Sequence, residues 1–165
     1  MPTLAVRPIR LVTEFGNGAG KHGEEAATQT FKKGNFVQNA TSNATGRAVF
    51  TESGVGAAVG TKLLMADRDA TNLAAPTLPM WAIVLGSDSE FEISCVGVVS
   101  TAALLTPGTE YGILKDATSG CHVINFSDVT NLAVRITAFE PNEINGRIGD
   151  IGNRVHAKLR VGNRL

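Results

Sequence analysis

The chain has 165 residues, 43% of them hydrophobic and only 18% charged, with 15 basic and 15 acidic side chains. That length suits one domain with arms and can bury a core without metals or disulfides; the apolar content excludes a disordered chain, and no apolar run approaches the ~18 residues of a membrane-spanning helix. Charge is uneven, with six basic and three acidic residues over 1–50, four and eleven over 51–146, and five and one over 147–165, so basic ends flank an acidic middle.

Residues 1–26 read as an extended N-terminal arm. Leu4-Ala5-Val6 and Ile9-Arg10-Leu11-Val12 are short extended stretches broken by Pro8, which removes a donor and biases its predecessor to extended geometry. Gly16-Asn17-Gly18-Ala19-Gly20 follows as a glycine-rich hinge. Prolines 2 and 8 and two arginines leave no signal-peptide pattern in Met1–Glu14, so the protein is expected to be made in the cytoplasm.

Residues 27–165 read as a single β-rich domain. Phe31–Gln38 predicts a strand pair turning near Gly34, or one bent strand. Asn39–Gly46 is a polar turn cluster, and Arg47–Thr51 is a strand. Gly54–Gly60 holds too much glycine for a helix, and Thr61–Ala66 fits a strand or one helical turn. Asp67–Met80, with Pro76 and Pro79, reads as a long loop. Trp81–Leu85 predicts a strand, and Glu90–Val99 begins by alternating, with Phe91, Ile93 and Cys95 opposite Glu90, Glu92 and Ser94. Pro107-Gly108 is a turn. Glu110–Leu114 and Cys121–Phe126 are strands around the Asp116–Gly120 turn, Leu132–Phe139 alternates again, and Pro141–Gly152 is a string of turns.

Asn153–Val161 carries the strictest period of two. Val155, Ala157, Leu159 and Val161 share one face, and Arg154, His156, Lys158 and Arg160 share the other. About eight short strands with turn signals every 8–12 residues predict an all-β fold with at most minor helix: a jelly roll, β-sandwich or barrel-like body behind the arm. No internal repeat is visible.

The residues that could carry chemistry give little. Gly16–His22 lacks the spacing of a phosphate loop, because Phe15 stands in place of the first glycine and His22 in place of the hydroxyl. His22, His122 and His156 have no metal-ligand spacing, and Cys121-His122 would point to opposite sides of a strand. Glu90 and Glu92 share a strand face as a glycosidase pair might, but one Trp and one Tyr are few for a sugar cleft. Cys95 and Cys121 read as buried thiols, with a disulfide between neighbouring strands left open. The three Asn-x-Ser/Thr triplets, at Asn39, Asn43 and Asn125, read as polar turns. The basic residues are too sparse for nucleic acid. The expectation is a protein that is not an enzyme, with no cofactor, metal, nucleic acid or membrane partner.

Four stretches resemble tailed-bacteriophage capsid cement (decoration) proteins: Phe31-Lys32-Lys33-Gly34-Asn35-Phe36-Val37, Gly60-Thr61-Lys62-Leu63-Leu64-Met65-Ala66-Asp67, Leu105-Thr106-Pro107-Gly108-Thr109-Glu110-Tyr111-Gly112 and Gly149-Asp150-Ile151-Gly152-Asn153-Arg154-Val155. The likeness is one of style and order over residues 27–162. It implies a β-rich body, often a homotrimer, on the capsid exterior of the virion, with the major capsid protein as partner and no catalytic residue. The residues expected at that interface are Leu4, Val6, Arg7, Ile9, Arg10 and Leu11 of the arm and Arg154, His156, Lys158 and Arg160 of the last strand. Deleting residues 2–20 should then leave a folded body unable to hold capsids. The alternatives are another virion part, such as a head-fibre base or tail adaptor, a carbohydrate-binding β-sandwich, or a small hydrolase using Glu90 and Glu92.

Overall fold

A computed structural model describes residues 5–13, 20–53, 61–74, 78–96, 107–139 and 154–164. Among these the fold is all-β. The strands are β1 (Arg10–Thr13), β2 (Gly20–Glu25), β3 (Phe36–Ser42), β4 (Ala48–Glu52), β5 (Leu64–Ala66), β6 (Pro79–Val84), β7 (Glu90–Val96), β8 (Glu110–Lys115), β9 (His122–Asn125), β10 (Val134–Phe139) and β11 (Arg154–Leu159), and a 3₁₀ turn spans Val161–Asn163. The Asn39–Gly46 stretch is partly strand: β3 runs to Ser42, and Gly46 N–H donates to the Asn43 carbonyl to close the turn. Gly54–Gly60 and Pro141–Gly152 lie outside the described residues.

The strands close into two rings. One is the barrel β2-β4-β3-β5-β6. The others form a sheet in the order β1-β7-β11-β10-β8-β9, and a parallel pairing of β7 with β9 joins β7, β11, β10, β8 and β9 into a second ring. The two rings share one connectivity. In each, the first strand runs parallel to the third and antiparallel to the fifth, the second lies antiparallel to the third and fourth, and the fourth pairs with the fifth. Equivalent strands start 70 to 75 residues apart: Gly20 and Glu90, Phe36 and Glu110, Ala48 and His122, Leu64 and Val134, Pro79 and Arg154.

The correspondence reaches the turns. Gly34 and Gly108 both have positive φ, 88° and 100°, where a Cβ is strained. Gly34 N–H donates to the Ala66 carbonyl at 2.9 Å, and Gly108 N–H to the Ile136 carbonyl at 2.8 Å. Gly46 and Gly120 repeat the pattern with φ of 78° and 72°. The chain therefore contains an internal structural repeat that its side chains conceal. A barrel interior accepts many apolar residues of similar volume, so two copies keep their topology while losing sequence likeness.

The barrels share a core. Phe31, Val37, Phe50, Leu64, Ala66, Met80 and Ala82 fill the first barrel. The second is filled by Phe91, Ile93, Cys95, Tyr111, Ile113, Ile124, Val134, Ile136, Val155, Ala157 and Leu159. Phe36, Leu63, Met65 and Leu85 of the first barrel belong to this second cluster. Period-two alternation explains how: Val37 and Leu64 point inward, while their neighbours Phe36 and Met65 point to the other barrel. Phe36 meets Phe91 edge-on, with ring centroids 5.4 Å apart.

The arm departs from its predicted course. Residues 20–25 form β2, an integral strand paired with both β4 and β6. Upstream, β1 adds to β7, with Arg10 opposite Glu92 and Leu11 opposite Phe91. Ile9 is 5% exposed and sits in the shared core. Its backbone lies so close to Gly34 that a Cβ there would come within 2.6 Å of the Ile9 carbonyl oxygen. Residues 5–13 are thus a strap touching both barrels, while Leu4 and most of the glycine-rich stretch lie outside the described residues.

Candidate functional site

The polar faces of β7 and β11 lie side by side, with Arg154 opposite Ser94 and His156 opposite Glu92. Arg154 Nε lies 2.8 Å from Glu92 Oε1, and Arg10 reaches the same carboxylate at 2.9 Å. His156 Nδ1 is 3.6 Å from Glu90 Oε1, which also accepts a hydrogen bond from the Thr137 hydroxyl. Arg160 Nε is 2.7 Å from Glu110 Oε2. Three of the four basic side chains on this face, Arg154, His156 and Arg160, therefore each lie beside a carboxylate of the chain's acidic middle. Glu90 and Glu92, the carboxylates that resembled a glycosidase pair, are both engaged in these contacts.

Several of the expected interface residues have partners within the chain. Arg154 is 7% exposed and lies beneath the strap, within 3.5 Å of the Pro8 carbonyl. Ile9 is buried because its side chain completes the shared core, and Val6 and Leu11 are half-buried. Arg7 is exposed, and its N–H donates to Ser94 Oγ at 3.3 Å. The sequence shows the charge alternation but not which carboxylates lie across from it, since register is a tertiary property.

Lys158 is the exception on β11. It stands directly opposite Arg135 of β10. Both line an open groove of about 470 Å³ with Arg164, Ser87, Pro107, Gly108, Ile136 and Thr137.

A second polar cluster joins the barrels. Phe36 N–H donates to His122 Nδ1 at 3.0 Å, which leaves the proton of a neutral ring on Nε2, facing Glu52 Oε1 at 3.5 Å. Asn35 accepts from His122 N–H and donates to Glu52 and to the Gly120 carbonyl. Lys115 donates to Glu52 at 2.8 Å. Burial alone would push the Glu52 carboxyl up. Hydrogen bonds from His122, Lys115 and Asn35 outweigh it and hold the group at about 2, below the ordinary 4.5. His122 is 2% exposed, so this network is a buried seam and not a cleft.

The third feature is Trp81 on β6, 52% exposed. It stands opposite His22 of β2, and the two rings meet edge-on at 5.0 Å. The indole covers Gly20, where a Cβ would approach Trp81 Cε3 to 2.4 Å. This platform was missed in the sequence because Gly20 and His22 fell within the expected arm. The signal available was the tryptophan itself, on a strand whose alternate residues Met80 and Ala82 are apolar.

Cys95 and Cys121 are both buried and free, and burial pushes both thiols up. No group of three or more His, Cys, Asp or Glu suited to a metal occurs among the described residues, and no described helix is long and apolar enough to cross a membrane. Compared with protein-family models, with curated proteins and with solved structures, the chain matches none.

Proposed function

We propose that this chain is a structural binding protein of the virion exterior, a capsid cement (decoration) protein that acts as a homo-oligomer, a trimer, on the major capsid protein. The observation that carries the reading is Trp81. Trp81 is 52% exposed, and its indole packs over Gly20 and edge-on against His22. An exposed tryptophan packed on a barrel wall is the kind of anchor that protein interfaces use, because it buries a large area at little cost in side-chain entropy. The carboxylates Glu52, Glu90, Glu92 and Glu110 are all engaged in ion pairs or hydrogen bonds within the chain, which favours a binding role over catalysis. The sequence resemblance over residues 27–162 points the same way. Cementing needs only a modest contact per copy, because many copies act together.

Co-sedimentation with expanded capsids tests this. The wild-type protein should pellet with capsids, and Trp81→Ala should weaken binding by about tenfold or more while leaving the fold intact. Failure of the wild-type protein to bind would sink the reading. A carbohydrate-binding role has one observation in its favour, since the same exposed indole could stack on a sugar ring. Thermal stabilisation on a glycan panel, lost in Trp81→Ala, would replace the cement reading.

A further inference from the structure

The groove between β10, β11 and the 3₁₀ turn differs from every other charged feature described above. Arg154, His156 and Arg160 on the same strand face each have a same-chain carboxylate. Arg135, Lys158 and Arg164 form no ion pair among the described residues, although they line one groove of about 470 Å³. Arg135 and Lys158 are cross-strand partners. Like charges directly opposite each other in an antiparallel pair are destabilising. Two neighbouring carboxylates are already engaged: Glu110, the register partner of Arg135 on β8, holds Arg160, and Glu90 holds Thr137 and His156. Arg164 is fixed by donating its Nε–H to the Leu159 carbonyl at 3.0 Å. Ser87 and Thr137 are further polar residues of the lining.

We infer that this groove is a docking site for an acidic segment of a partner protein, whose Asp or Glu carboxylates pair with Arg135, Lys158 and Arg164. The planar guanidinium of Arg135 suits bidentate carboxylate pairing, and Lys158 acts as a point charge beside it. A polypeptide is favoured over nucleic acid because the lining holds no aromatic side chain for bases to stack on, and the cations form one compact group rather than a stripe. The inference deepens the cement reading by naming the partner's chemistry, and it rests on that reading for the partner being a capsid subunit. A groove on the second barrel and an aromatic anchor on the first would give the protein two separate contacts, which bridging two neighbours requires.

The test is titration of the isotope-labelled full chain with a hexaglutamate peptide, followed by amide chemical shifts. The expected result is saturable shifts confined to the amides of Ser87, Gly108, Arg135, Thr137, Lys158 and Arg164. Apparent affinity should fall steeply as salt is raised, since exposed pairs are screened. Arg135→Gln and Lys158→Gln should each weaken binding severalfold, and the double variant roughly tenfold or more. Both single variants should melt at the same temperature as wild type or higher, because each removes the cross-strand repulsion. That combination of weaker binding with equal or greater stability would not arise from a structural role alone. Absence of shifts at these amides, or shifts unchanged in the double variant, overturns the inference. So does tighter binding of inorganic phosphate or a short single-stranded oligonucleotide to the same amides. Each of these outcomes is independent of capsid co-sedimentation, so the two readings fail separately.

Discussion

Glu52 ties the barrels together through one carboxylate that faces His122, Lys115 and Asn35. Its folded-state value of about 2 lies below the ordinary 4.5. The resulting stabilisation is therefore fully present above about pH 4.5 and is lost as pH falls through the folded value. With solvent contact discounted, it amounts to about 1–2 kcal/mol. Urea unfolding between roughly pH 5 and pH 2 should show wild type losing more stability than Glu52→Gln. Parallel losses would show that this carboxylate does not anchor the seam. His122→Ala should cost about 2–3 kcal/mol at neutral pH, since it strands the buried Phe36 N–H and removes one partner of Glu52. Gly34 is constrained by both its φ of 88° and the Ile9 carbonyl against it. Gly34→Ala should destabilise by about 1–3 kcal/mol, and a larger loss than at Gly46→Ala, where nothing lies within 4 Å of the added Cβ, would separate crowding from backbone strain.

At the level of elements, β1 does the work of a structural strand. It covers the edge of β7 and supplies Arg10 to Glu92, and Ile9 just upstream is buried in the shared core. Deleting residues 2–20 would take away the whole strap and the first residue of β2. Contrary to the expectation from sequence, such a chain should be markedly less stable. Loss of the Ile9 side chain alone is worth about 2–5 kcal/mol in a core site that cannot collapse. Thermal unfolding of a chain truncated to residue 14 is the direct measurement, and an unchanged melting temperature would show that the strap contributes nothing to the fold. Charge reversal on β11 should likewise act on folding first. Arg154→Glu would bury a second carboxylate against Glu92 and destabilise strongly, whereas Lys158→Glu should be tolerated.

Across the whole molecule, the shared core makes two rings one cooperative unit. Phe36 belongs to a first-barrel strand yet packs on Phe91 of the second. The 3₁₀ turn adds a polar link, with Leu63 N–H donating to the Asn163 carbonyl at 3.0 Å and Asn163 donating back to the Thr61 carbonyl at 2.9 Å. Calorimetry should give a single transition whose van't Hoff and calorimetric enthalpies agree. Phe36→Ala, at a cost of about 3–5 kcal/mol, is the substitution most able to split it, and two transitions in the wild type itself would refute the single unit.

The alternation of Glu90–Cys95, Leu132–Phe139 and Asn153–Val161 was enough to point to the all-β class and to place β7, β10 and β11, because a half-buried strand writes its two faces into the order of its residues. The cationic face of β11 was equally legible. Its counter-charges were not, since Glu90, Glu92 and Glu110 meet it through strand register and through a strand order that skips along the chain. Residues 20–25 fell within the expected arm, since glycine, lysine and glutamate have low strand propensity, and pairing on both edges with β4 and β6 overrode it. The repeat was hidden for the same kind of reason. Topology is preserved by turn glycines and apolar volume, neither of which demands particular residues, so the chain alone determined that it would form strands and only the closed packing decided that it would form the same ring twice.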